Sequence, residues 1–108
     1  MVSENGRDRF KDAIGILADE KGRIKERLLV AYASQLSRIN PVEDLPDDLA
    51  SDFAEIRFGI SDAEVPYGYG EHASEKIEGM TEEEATAHAK KIYTMFLKIF
   101  ALAPLHTN

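Results

Sequence analysis

The segment from Met80 to Leu102 constrains this chain more than any other. Thr81 stands three residues before Glu84. At that spacing a hydroxyl and a carboxylate each bond the other residue's backbone N–H, which starts a helix. Pro104 closes the other end, because proline cannot continue a helix. At about 100° per residue, Ala85, Ala89, Ile92, Phe96, Ile99 and Phe100 fall on one side. Tyr93, Met95, Leu97 and Leu102 widen that side past half the circumference, and Lys90, Lys91, Thr94 and Lys98 form a narrow polar strip. A helix on the surface of a monomer needs an apolar stripe of roughly 100°. The surplus must be covered, either at the centre of a bundle or by a second subunit. We expect the second, a homodimer with Ile92, Met95, Phe96, Ile99, Phe100 and Leu102 at its interface.

The partner for that helix lies upstream. Between Gly22 and Pro41, Ile24, Leu28, Ala31, Tyr32, Leu36 and Ile39 share one helical face. Phe10, Ala13, Ile14 and Leu17 repeat at the same spacing from Arg7 to Glu20, after a frayed stretch at residues 1–6. The two patterns are in phase, so one long helix over 7–39 competes with two helices. Asp19-Glu20-Lys21-Gly22 reads as a helix end with glycine in the left-handed cap, and we expect the break.

Residues 41–44 read as a connector. Leu45, Leu49, Phe53, Ile56 and Ile60 then mark a helix running to about Phe58, with Pro46 and two aspartates in its first turn. Phe58 points off that face, so either the helix has ended there or Phe58 is contact surface. Residues 59–79 carry turn punctuation and no sustained period, and are expected to be an irregular loop. Tyr67 and Tyr69, set among glycines, make that loop a candidate partner-recognition segment.

The expectation is an all-α single domain over residues 1–108. It is a small antiparallel bundle of three long helices plus a short or continuous N-terminal one, which dimerisation would complete. The chain is 44% hydrophobic and 31% charged, as an ordinary globular domain is. It has no cysteine, which rules out disulfides, thiolate zinc sites and cysteine nucleophiles. The opening residues lack an apolar core of signal-peptide type, and no apolar run is long enough to span a bilayer. A cytoplasmic protein without membrane contact is expected.

The net charge of −7 is uneven: residues 41–88 carry −12, against +2 before them and +3 after. The acidic middle suits attraction to the basic ends or to a basic partner. It makes nucleic acid an unfavourable ligand, since phosphates demand a basic surface.

Chemistry-bearing patterns are sparse. No Glu-x-x-His occurs, so the di-metal carboxylate bundle lacks its motif. Glu84 reads as a cap and His88 as the border of an apolar face. Glu75 and Glu78, with Asp48, Asp52 and Glu55, have the spacing of hard-cation ligands, although acids spaced three or four apart also describe a solvated helix face. No nucleophile elbow, phosphate-binding loop or dinucleotide fingerprint is present. Gln35, on the apolar face of the 22–41 segment, is a polar group that burial would oblige to find partners.

We therefore assign no catalytic residue, metal site or cofactor, and expect a non-enzymatic regulatory or adaptor protein working through protein contact. Two alternatives stand beside it. One is a metal-dependent hydrolase of a phosphorylated metabolite, built on Asp48, Asp52, Glu55, Glu75 and Glu78. The other is a DNA-binding or antitoxin-like regulator using Arg23, Lys25 and Arg27.

Overall fold

The computed structural model describes the backbone of residues 2–19, 21–60 and 69–100, with their side chains except at 69–72. Every regular element among them is helical, as the periodicity requires. The elements are α1 (Glu4–Ala18), α2 (Ile24–Ser34), a 3-10 turn at Leu36–Arg38, α3 (Pro41–Asp44), α4 (Asp47–Ile60), α5 (Tyr69–Glu78) and α6 (Glu82–Phe100).

The chain does break between α1 and α2. Gly22 has φ of 81°, the left-handed region open to glycine. The Lys21 N–H donates to Asp19 Oδ1 at 3.0 Å, which turns the chain. Arg27 reaches back from α2 and donates to the Leu17 carbonyl at 2.6 Å, supplying a donor that the end of α1 lacks.

Four expectations need correction. Residues 1–6 are not all frayed, because α1 starts at Glu4. Ser3 caps it by accepting from the Gly6 N–H at 2.9 Å, and Asp44 holds Ser3 in place. The Ser3 hydroxyl donates to Asp44 Oδ1 at 2.6 Å, Asn5 Nδ2 donates to Oδ2 at 3.1 Å, and the Asn40 N–H donates to Oδ2 at 2.8 Å. Burial pushes the Asp44 carboxyl up, but the bonds from Ser3, Asn40 and Asn5 together hold it below its usual value.

The helix starting near Gly22 does not reach Ile39. It stops at Ser34, and a 3-10 turn follows. Ser34 and Ser37 donate to the carbonyls of Val30 and Ala33, side-chain bonds that compete with helix continuation. The tighter turn still brings Leu36 and Ile39 into the core.

The supposed connector at 41–44 is a one-turn helix. Asn40 caps it by accepting from the N–H groups of Val42 and Glu43, and Pro41 takes the first position.

Finally, residues 59–79 are not an irregular loop throughout. Residues 59–60 finish α4 and residues 69–78 form α5, while 61–68 lie outside the described residues. Ala73 and Ile77, four apart, are buried at 0% and 2% exposure and hold α5 on the bundle. Lys25 donates to the carbonyls of Glu78 and Met80, both at 3.0 Å, and so caps the C-terminal end of α5.

One hydrophobic cluster joins side chains from α1, α2, α4, α5 and α6. Tyr32 and Leu28 lie at its centre, and Phe10 meets Phe53 edge-on at 5.9 Å. α6 packs against α1, α2 and α4. Lys98 pairs with Asp52 and His88 lies beside Gly59, so α4 and α6 run antiparallel. The Cα atoms span 42 × 30 × 18 Å. With helix axes about 8–10 Å apart, the short dimension holds only two layers. A helix in such a slab keeps one side uncovered by the other described helices.

Candidate functional site

The capping box that opens α6 is formed as the sequence implies. The Thr81 N–H donates to Glu84 Oε1 at 2.8 Å, and the Glu84 N–H donates to Thr81 Oγ1 at 3.0 Å. The bond from the Thr81 backbone, then the bonding to its hydroxyl, holds the Glu84 carboxyl below its usual value.

From that start the broad apolar side of α6 divides into two stripes. Ala85, Ile92 and Met95 are buried in the chain's own core, at 0%, 0% and 2% exposure, and half-buried Ile99 packs against it. Beside them run Tyr93, Phe96, Leu97 and Phe100, at the i, i+3, i+4, i+7 spacing of a second face. Tyr93 is 50% exposed, while Phe96, Leu97 and Phe100 are half-buried. Their rings form a ladder: Tyr93 to Phe96 is 6.2 Å between centroids at 24°, and Phe96 to Phe100 is 4.8 Å at 43°. Phe96 bridges the stripes, since it also packs against the core.

The expected interface set therefore separates. Ile92 and Met95 belong to the chain's own interior and have no surface to offer a partner. Phe96, Ile99 and Phe100 keep part of theirs, and Leu102 lies outside the described residues. Tyr93, outside that set, lies on the outer stripe one helical turn from both Phe96 and Leu97. Tyr67, of the expected recognition segment, also lies outside the described residues, whereas Tyr69 opens α5.

The helix continues past Phe58 to Ile60, and the residue is 68% exposed. Lys76 covers part of it, with the ammonium 5.3 Å from the ring centroid and donating to the Phe58 carbonyl at 2.8 Å.

The residues of the two alternatives are placed apart or otherwise engaged. Asp48, Asp52 and Glu55 are on α4, while Glu75 and Glu78 are on α5. Among the described residues, no three histidine, aspartate or glutamate side chains gather as metal ligands. Asp52 instead accepts from Lys98 at 3.0 Å, beside a groove of about 300 Å³ between α4 and α6. Of the three cations considered for DNA, Lys25 and Arg27 cap helix ends within the chain, and Arg23 is the exposed N-cap of α2.

Two polar groups sit at the margins of the core. Gln35 lies at the C-terminal cap of α2, and its Oε1 is buried without a protein partner among the described residues. His88 borders the apolar face as expected, half-buried against Gly59. No described helix is long and apolar enough to cross a membrane. Compared with models of known protein families, with curated proteins and with solved structures, the chain matches none.

Proposed function

We propose that this protein is a regulatory or adaptor protein that works by protein–protein contact through the outer stripe of α6, without catalysing a reaction. One observation carries the reading: Tyr93, Phe96, Leu97 and Phe100 form a continuous, partly exposed apolar stripe beside a stripe already filled by the core. Aromatic side chains are enriched at protein interfaces, where a few of them supply most of the binding energy. Here they are mounted on a helix fixed by its cap and by three neighbouring helices. Little ordering entropy remains to be lost on binding.

The test places a photo-crosslinking amino acid at position 93, 97 or 100 of the full chain in its native cell, with the exposed Glu43 as control. Capture of protein at the three α6 positions, well above the control, is the expected outcome. Equal or lower capture than at Glu43 would remove the reading.

A further inference from the structure

We infer that the occupant of this stripe is a second copy of the same chain, docked with its α6 antiparallel about a two-fold axis passing between Phe96 and Leu97. The inference rests on the contact reading above and adds the identity and register of the partner.

The stripe is self-complementary in one register. A two-fold axis between positions 96 and 97 sets Tyr93 opposite the partner's Phe100 and Phe96 opposite the partner's Leu97. Each of the four apolar side chains then meets another apolar side chain, as an interface between identical patches requires. Moving the axis to Tyr93 sets Phe96 against the partner's Lys90 and Phe100 against the partner's Thr86. A side-by-side parallel pairing sets each residue near its own copy, so Lys90 meets the partner's Lys90 and the Glu82–Glu84 run meets itself. Such like-charge contacts oppose association. In the antiparallel register these charges are kept apart: Lys90 falls beyond the partner's Phe100, and the three first-turn glutamates of α6 lie further out still.

The amount of surface sets the strength. A standard specific interface buries about 800 Å² on each partner. Four side chains, three of them already half-covered, supply less than that. The dimer is accordingly weak and concentration-dependent, with a dissociation constant on the order of 100 µM.

The absence of native cysteine allows a direct test of the register. Positions 93 and 100 are seven residues apart, about 10 Å along one helix. That is too far for a disulfide within a chain, whose Cα atoms must lie within about 7 Å. Under mild oxidation at high protein concentration, the Tyr93→Cys/Phe100→Cys double variant should form a covalent dimer. Tyr93→Cys alone and Phe100→Cys alone should form at least tenfold less. In sedimentation velocity the wild type should shift from monomer towards dimer between about 5 µM and 1 mM. Tyr93→Glu should stay monomeric, with a cooperative melting transition within about 8 °C of the wild type's to show that it folds.

A wild type that is monomeric across that range overturns the inference, as does a Tyr93→Cys variant that crosslinks alone as well as the double variant does. Photo-capture of a different protein at position 93 by a monomeric chain would also overturn it, while leaving the contact reading in place.

Discussion

His88 presses on Gly59 so closely that a β-carbon at position 59 would stand 2.6 Å from Cε1 and 3.1 Å from Nδ1 of the imidazole. The contact joins the C-terminal end of α4 to α6, and only a residue without a side chain permits it without displacing the ring.

Gly59→Ala should therefore destabilise the protein, by up to about 1 kcal/mol, because the half-buried His88 ring must swing aside. In a His88→Ala background the sign should reverse. The space is then free, and alanine is better than glycine inside a helix by up to about 1 kcal/mol. Urea denaturation of the four proteins of this cycle measures the coupling. Additive effects would show that the two residues do not share the space.

The same contact gives the protein an acid-sensitive point. Burial holds the His88 imidazole below its usual value; Lys91 and Lys76 push it the same way, and Glu84 opposes them. Its Nδ1 is buried with no protein partner among the described residues. The unfolded chain therefore takes up the proton first. The neutral ring's contribution is fully present above about pH 6.5 and is lost as pH falls below that value, towards the lowered folded one. Melting temperatures between pH 7.5 and 5 should fall less steeply in His88→Ala than in the wild type. Identical slopes would place the acid sensitivity elsewhere.

Asp44 fastens the start of α1 to the turn before α4. Asp44→Ala leaves the Ser3 hydroxyl, the Asn5 amide and the Asn40 N–H without their acceptor, and should cost about 1–3 kcal/mol. Because the folded carboxyl titrates below its usual value, its contribution is present above about pH 4 and is lost as pH falls through the folded value. Hydrogen exchange should show the Gly6 and Asn40 amides losing protection in the variant. Unchanged protection at both would mean the three donors find other acceptors.

Neighbouring positions on α6 should respond to truncation to very different extents. Ile92→Ala empties fully buried space and should cost about 2–5 kcal/mol. Tyr93→Ala removes a half-exposed ring and should cost no more than about 1 kcal/mol, most of it from the stacking with Phe96. Denaturant midpoints at low protein concentration compare the two without contribution from association. A loss at Tyr93 matching that at Ile92 would make the outer stripe a structural one.

What was legible in the sequence was local. The Thr81/Glu84 box, the left-handed Gly22 and the apolar repeats of α1, α4 and α6 depend on neighbours one or two turns away, so spacing alone revealed them. α5 escaped because Gly68, Gly70 and Pro66 read as turn punctuation, while among its described side chains Ala73 and Ile77 are the two in the core. Two apolar residues make no period, and a helix that short needs packing to hold it. The end of α2 escaped for the converse reason: the apolar repeat continues through Leu36 and Ile39, but the backbone tightens beneath it.

By itself the sequence determined that this chain is helical, where α6 begins, where α1 breaks from α2 and that α6 carries more apolar surface than one contact face needs. These follow from side-chain period and capping chemistry, which act over a few residues. Only the tertiary structure decided how that surface is divided, with Ile92 and Met95 inside and Tyr93, Phe96, Leu97 and Phe100 at the margin. The division depends on where α1, α2 and α4 lie against α6, and on the described helices forming a slab two layers thick, with no third layer among them over the second stripe. No residue on α6 encodes the position of its neighbours. That position comes from the packing of the whole chain.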